Sequence, residues 1–339
     1  MFISTKHRNN YHLALFACIL AFVVIMLGAY TRLTDAGLSC PDWPHCYGYL
    51  TAPHTSEQLQ GAAEKYPAIP VNVKKAWTEM THRYFAGTEG ILILILTGSF
   101  LFSRKIKSSR SVFVGSALLG LLGLQVTLGM LTVTELLKPV IVLSHLLTGI
   151  SLLCLLWWAY LDFFLSRNAF PNTTPAKFKP WLWIAFIIMA MQITLGGWVS
   201  THYAGLACID FPYCNGKILP TLYFGQFNTD LITIHMLHRI GALVTGVYLI
   251  LLGHALIREP NLRAMGIVIV ALVTLQITLG ILNVMWLRPV WLALTHHGVA
   301  IILLLTVIAA LVKTTITAVD YGAKGAPNPP YIKMDNNYV

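Results

Sequence analysis

Charge is what this sequence has least of. Only 11% of its 339 residues are charged and only 13 are acidic, whereas soluble domains carry about a quarter charged residues. So few charges cannot cover the surface of a water-soluble globule. The basic excess, a net +10, invites a nucleic-acid reading, but the basic residues are dispersed in short loops and tails, and no nucleic-acid partner is expected. Cysteine is limited to six residues, and no CxxC spacing is present to support a thiolate zinc site.

What the chain has in abundance is apolar length: 56% hydrophobic residues and a mean hydropathy of +0.69. A helix needs about 20 apolar residues to cross the hydrocarbon of a bilayer. Eight stretches qualify, at 12–33, 82–102, 112–134, 140–165, 180–200, 232–257, 264–286 and 289–312. The first is read as a retained span rather than a cleaved leader, because further spans follow it. With the N-terminus inside, the inner segments collect Lys6, Arg8, Arg104, Lys105, Lys107 and Arg110, and later Arg167, Lys177, Lys179, Arg258, Arg263 and Lys313. That is the positive-inside bias. Loops 34–81, 135–139, 201–231 and 287–288 then face outward. The tail 322–339, with Pro327, Pro329 and Pro330, reads as a disordered cytoplasmic end. The predicted fold class is an all-α membrane protein whose termini are both cytoplasmic.

The sequence repeats itself. Gly37, Leu38, Cys40, Asp42, Pro44, Cys46 and Gly48 recur at one constant offset as Gly205, Leu206, Cys208, Asp210, Pro212, Cys214 and Gly216. Met80-Thr81-His82-Arg83 matches Met236-Leu237-His238-Arg239, and Gln125-Val126-Thr127-Leu128-Gly129 matches Gln276-Ile277-Thr278-Leu279-Gly280. His145 lies 20 residues after Gln125, as His296 does after Gln276. The eight spans are therefore expected to form two tandem, pseudo-symmetric four-helix bundles, residues 1–166 and 167–339. An even number of spans gives both the same orientation in the membrane.

His82, His145, His238 and His296 fall about one turn inside the outer ends of four spans. Ionisable groups at that depth are costly and are functional candidates by default. Within each half, two histidines from different helices at similar depth can ligate one heme iron from both axial sides. A single buried histidine reads as a hydrogen-bonded packing residue, but four at matched positions favour ligation. Arg83 and Arg239 follow the first ligand of each half and can pair with heme propionates, or snorkel to the interface. His297 adjoins His296 and is an alternative ligand, although the 20-residue register favours His296. Three residues before His82 stands Glu79, where the second half has His235. A carboxylate beside one heme site suits acid–base or charge-stabilising work, or else a favourable charge near a helix N-terminus. Glu89 lies two turns deeper in an apolar run, either protonated or paired across the bundle.

Cys40 with Cys46 and Cys208 with Cys214 form two outward-facing pairs. The outer compartment is oxidising, so both are expected as disulfides, either structural staples or, for the first pair, a redox participant. Zinc held by all four thiolates would require the two loops to meet. Cys18 and Cys154 read as packing residues. The Gln-x-Thr-Leu-Gly motif, present also at Gln192–Gly196, reads as helix–helix contact without chemistry. Trp157, Trp158, Trp181 and Trp183 read as interfacial anchors.

Taken together, Thr31-Arg32-Leu33-Thr34-Asp35-Ala36-Gly37-Leu38 before the first cysteine loop, Glu79-x-x-His82-Arg83, His145, His238-Arg239 and His296 resemble the heme A synthase family over essentially the whole chain. The resemblance implies oxidation of a heme O methyl group to a formyl group, giving heme A for cytochrome c oxidase. It implies heme O as substrate at His82 and His145, and a resident heme b at His238 and His296. It makes Glu79 the carboxylate of the catalytic half, and links Cys40 and Cys46 to transfer of reducing equivalents. It also implies a multi-pass protein of the inner (plasma) membrane, with heme sites toward the outer face. The implied partners are a heme O synthase and the cytochrome c oxidase assembly machinery, and a homo-oligomer is compatible with this reading. Glu89 is not part of the family pattern. Two other readings compete: a diheme b-type electron-transfer protein, which uses the same four histidines and in which Glu79 is dispensable, and a membrane thiol oxidase, which makes the two cysteine pairs essential and leaves the buried histidines unexplained.

Overall fold

A computed structural model of the protein describes residues 5–102, 109–167 and 176–315. The tail 322–339 and several of the predicted inner basic residues, among them Arg104, Lys105 and Lys107, lie outside the described residues. Among the described residues, eight long helices are apolar enough to cross a membrane. They are α1 (Thr5–Leu33), α3 (Val73–Phe102), α4 (Ser109–Thr134), α5 (Pro139–Arg167), α6 (Lys179–Thr201), α7 (Leu231–Ile257), α8 (Arg263–Met285) and α9 (Val290–Thr315). Among the described residues there is no β-strand, only two isolated bridges.

A further helix, α2 (Ser56–Lys65), lies in the loop between α1 and α3 and is too short and polar to span. Its start is encoded locally. The Thr55 hydroxyl accepts from the Gln58 N–H while the Gln58 side chain accepts from the Thr55 N–H, which is a capping box. The span predicted to begin at residue 82 starts nine residues earlier. Asn72 accepts from the Lys75 N–H at 3.1 Å, and Lys74, Lys75 and Glu79 add polar turns that a hydropathy window excludes. His82 therefore sits more than two turns inside α3, not one. His145, His238 and His296 lie about two turns inside α5, α7 and α9.

Helices α1 and α4 each pack on both α3 and α5. Likewise α6 and α8 each pack on both α7 and α9. The two sets meet where α5 touches α6 and α9, and where α1 touches α9. The largest apolar cluster runs through this seam, with Leu153, Leu156, Leu182, Ile301 and Val307 fully or almost fully buried. Helix α9 is the most enclosed of the eight. Trp157 belongs to this core: its indole N–H donates to the Leu305 carbonyl at 2.9 Å, and Trp158 also packs against it. Both are half-buried against that core, whereas Trp181 and Trp183 are exposed.

Candidate active site

The two cysteine loops have the same architecture. Cys40 and Cys46 are joined with sulfurs 2.06 Å apart, and Cys208 and Cys214 with sulfurs 2.04 Å apart. A tetrathiolate zinc site is thereby excluded. After each second cysteine the chain reverses through two residues of positive φ, Tyr47 and Gly48 in one loop, Asn215 and Gly216 in the other. That is the conformation of a tight type I′ hairpin turn, and it favours glycine at its second position. An aspartate braces each turn. Asp42 accepts from the N–H groups of Tyr47 and Gly48 at 2.6 and 2.7 Å, and Asp210 from those of Asn215 and Gly216 at 2.7 and 2.9 Å. The Gly216 hydrogen bond leads the interactions that hold Asp210 below the usual carboxylate range. In the first loop, burial and then the Glu79 and Asp42 carboxylates push the Tyr47 phenol above its ordinary value.

Arginines from the histidine helices clamp these loops. Arg83 Nη1 donates to the carbonyls of Asp42, Pro44 and His45 at 3.0, 3.2 and 2.7 Å. Arg239 donates to the carbonyls of Tyr213, Cys208 and Asp210 at 2.8, 3.1 and 3.0 Å. Both guanidinium groups are thus engaged by backbone, and Arg239 keeps one buried donor, Nε, without a partner.

The halves differ at Glu79 and His235, both buried. Glu79 accepts from the Cys40 N–H at 2.9 Å and from Arg83 Nη2 at 2.5 Å. His235 Nδ1 instead hydrogen-bonds the Ala204 carbonyl at 2.8 Å. The chemistry dictates the partners: an ionised carboxylate only accepts, so it takes an N–H, whereas an imidazole N–H can donate to a carbonyl. Glu79 is therefore connected at once to the first disulfide loop, to Arg83 and to the helix carrying His82.

The four histidines occupy one kind of seat. Each ring lies against a glycine of a neighbouring helix, where an added Cβ would stand 3.0–3.2 Å from ring Cε1: His82 on Gly28, His145 on Gly129, His238 on Gly196 and His296 on Gly280. His82 and His145 lie within electrostatic range of each other, as do His238 and His296. The predicted pairs are thus brought together within each half. His296, not His297, takes the seat.

A glutamine contacts three of the rings. Gln125 Nε2 is 3.5 Å from His145 Nε2, Gln192 Nε2 is 3.0 Å from His238 Nδ1, and Gln276 Nε2 is 3.2 Å from His296 Nε2. The Gln-x-Thr-Leu-Gly motif, read from sequence as helix contact, is thus the histidine seat itself. The signal that could have revealed this is its recurrence on helices that carry no ligand.

Fit to a bound metal group follows from atoms left without partners. His82 Nδ1, His145 Nδ1 and His296 Nδ1 are buried and lack hydrogen bonds, and so do Gln125 Oε1, Gln192 Oε1 and Gln276 Oε1. Buried polar atoms are normally satisfied. Imidazoles poised in pairs with spare nitrogens form a donor set suited to heme iron. Among the described residues no group of three His, Cys, Asp or Glu converges as a metal-ion site. Glu89 is buried with neither oxygen hydrogen-bonded, so of the two alternatives the pairing across the bundle is not formed.

Residues 11–308 match the family model described as cytochrome oxidase assembly protein. A protein named Heme A synthase from Shewanella oneidensis is 38% identical over 307 residues, covering 86% of this chain and 92% of its own length. A second, from a Caulobacter species, is 30% identical over 318 residues, covering 85% and 91%. A third, from Neorickettsia sennetsu, is 27% identical over 319 residues, covering 87% and 96%.

Proposed function

The chain belongs to the heme A synthase family of cytochrome oxidase assembly proteins, and we propose that it oxidises the methyl group of heme O to the formyl group of heme A in a multi-pass membrane setting. The observation that carries this reading is the set of four histidines seated on glycines and paired two by two. Residues 1–166 form the substrate half, with His82 and His145 holding heme O. Residues 167–339 form the relay half, with His238 and His296 as ligands of a resident heme b. The two halves are tandem copies in the same orientation, with both termini cytoplasmic, and the sites face the outer side of the plasma membrane.

The reaction runs in two successive two-electron steps. In each step a C–H bond gives way to a C–OH bond, and, counted with water as the oxygen source, two electrons and two protons are released to an acceptor outside the chain; the methyl becomes an alcohol and then a geminal diol, which loses water to leave the formyl group. Heme b, when bound, would relay electrons for the first half. The chain's own residues do the rest. The paired imidazoles orient the substrate at fixed depth. Glu79 stands beside the His82 helix turn as the group that accepts a proton or stabilises developing positive charge. Arg83 and Arg239 close the disulfide loops over the outer ends of the sites, and the free Nε of Arg239 is available to a propionate. Delivery by a heme O synthase and onward transfer to oxidase assembly complete the scheme, which a homo-oligomer can also carry out. A pure electron-transfer role is not favoured, since the relatives that match most of the chain are named for heme A synthesis.

The test is the extracted-heme profile of the purified protein after co-expression with a heme O synthase. Heme A or its alcohol precursor is expected, and is lost in Glu79→Ala. Heme b alone, with heme O unchanged, would overturn the proposal.

A further inference from the structure

Three of the four histidine seats are built alike, and one is not. On α4, α6 and α8 a glutamine stands four residues before the seat glycine, as Gln125, Gln192 and Gln276, and its amide reaches the histidine. On α1 the position four residues before Gly28 is Val24. Val24 and Gln192 are equivalent in the repeat, so the exchange lies at a matched site. The main chains of Val24, Gln125 and Gln276 face His82, His145 and His296 in the same way. The main-chain environment is therefore shared, and the side-chain amide is what His82 lacks.

Gln125 lies beside Gly149, one turn after His145, and Gln192 lies beside Gly241, three residues after His238. Three and four residues after His82 stand Phe85 and Ala86, and after His296 stand Val299 and Ala300, so a glycine notch accompanies two of the three amides and the residue at position 24 is what sets the first seat apart. A partner on the second imidazole nitrogen fixes the ring's tautomer and orientation and raises its basicity as a ligand, and losing it typically weakens metal binding about 10- to 100-fold. The buried and unpaired Oε1 atoms of the three glutamines supply that acceptor once the amide turns. His82 has the Val24 main chain as its neighbour but no side-chain amide to turn toward it.

The geometry points to His82 as the exchangeable axial ligand, released in each cycle of substrate entry and product exit, with Val24 as the positioning residue that leaves it without an amide anchor. The inference rests on the heme-ligand reading above. A substrate heme must be admitted and surrendered at every turnover, whereas a resident heme need not be. His145 keeps its Gln125 partner and remains the anchor of the substrate half. His238 is held through Gln192 and His296 through Gln276, which suits a permanent occupant. The step is ligand exchange only: the bond between His82 and the substrate iron breaks and re-forms, with no electron transferred.

The experiment uses the full-length holoprotein, reduced with dithionite and titrated with carbon monoxide, a probe that enters only where an axial ligand yields. The parent is expected to show one carbon monoxide-reactive heme population and one inert population. Val24→Gln should reduce the reactive fraction or its affinity about 10-fold or more, well beyond any effect of Val24→Leu, a change of size without an amide. The reciprocal Gln192→Val should make the inert population reactive. Parental carbon monoxide titrations in both Val24→Gln and Gln192→Val would overturn the inference. His82→Ala and His238→Ala separate the two levels. If neither alters heme content or the low-spin optical bands, the heme-ligand reading itself fails. If both do, and the Val24 and Gln192 exchanges have no effect, only the exchangeable-ligand inference fails.

Discussion

The Glu79 carboxylate holds the main-chain N–H of Cys40 at 2.9 Å, so the buried acid of the proposed catalytic half is tied to the backbone of a disulfide. Its second oxygen takes Arg83 at 2.5 Å, and both side chains are largely shielded from solvent. Removing one partner of a buried pair strands the other, at about 3 kcal/mol or more. Glu79→Ala should therefore do two things: abolish heme oxidation and release the first loop. Glu79→Gln retains an acceptor for Cys40 but not the charge. It should lose oxidation while the loop stays closed. Heme profiles together with the rate at which reductant opens Cys40–Cys46 distinguish the two variants. An active Glu79→Gln protein would remove the acid from the mechanism.

The seat glycines give a second prediction. A methyl at Gly129 would stand 3.1 Å from His145 Cε1, and one at Gly280 would stand 3.2 Å from His296 Cε1. Forcing that contact costs about 1–3 kcal/mol and tilts the imidazole away from its position. Gly129→Ala should lower heme retained in the first half, and Gly280→Ala heme retained in the second. Gly123→Ala lies on the same helix as Gly129, where an added Cβ meets nothing within 4 Å, and should leave heme content unchanged. Equal heme loss in all three would mean that helix packing in general, not the seat, was disturbed.

Much of this was legible in the sequence, because apolar length and repetition are local signals. The eight spans follow from uninterrupted hydrophobic runs, and the paired histidines from matched registers around Gln125 and Gln276. The first turns of α3 were not legible, because Lys74, Lys75 and Glu79 lower the hydropathy of a segment that Asn72 nonetheless caps. The capping box at Thr55 and Gln58 marks α2 locally, but residues 34–81 read only as a loop from sequence, because the segment is too polar to stand out by hydropathy. The seat of His82 could not be found by motif, since Val24 replaces the glutamine that marks the other three. The engagement of Arg83 and Arg239 by loop carbonyls was hidden for a different reason. It depends on hairpin turns that fold the loops back over the helices, and such long-range contacts leave no periodic trace.

The two loops should respond differently to alkali. The Tyr47 phenol is held above its ordinary value, and Asn215 takes its place in the second loop. A raised value means that the fold favours the neutral phenol. That contribution is complete below the unfolded value, near pH 10, and is lost as pH rises through the folded value. Hydrogen exchange at residues 40–49 should therefore accelerate in alkali before exchange at residues 208–217 does. Tyr47→Phe removes the ionisation and should bring the first loop into step with the second. Simultaneous opening of both loops in the parent would contradict the assignment.

The disulfides themselves should not be equivalent. Each closes a loop of six residues in sequence separation, and chain entropy sets the stabilisation at about 2 kcal/mol for either. What each bond leans on differs. Opening Cys208–Cys214 leaves Asp210 bracing the turn, Arg239 on its three carbonyls and His235 on Ala204, with no carboxylate tied to the bridge. Opening Cys40–Cys46 frees the backbone that positions Glu79. The double variant Cys208→Ser with Cys214→Ser should lose thermal stability yet give a parental ratio of heme A to heme O. Cys40→Ser with Cys46→Ser should lose a similar amount of stability and also shift that ratio toward heme O. Melting curves paired with extracted-heme chromatography make the comparison. If both variants keep the parental ratio, the bridge at Cys40 is only a staple and Glu79 holds its position without it.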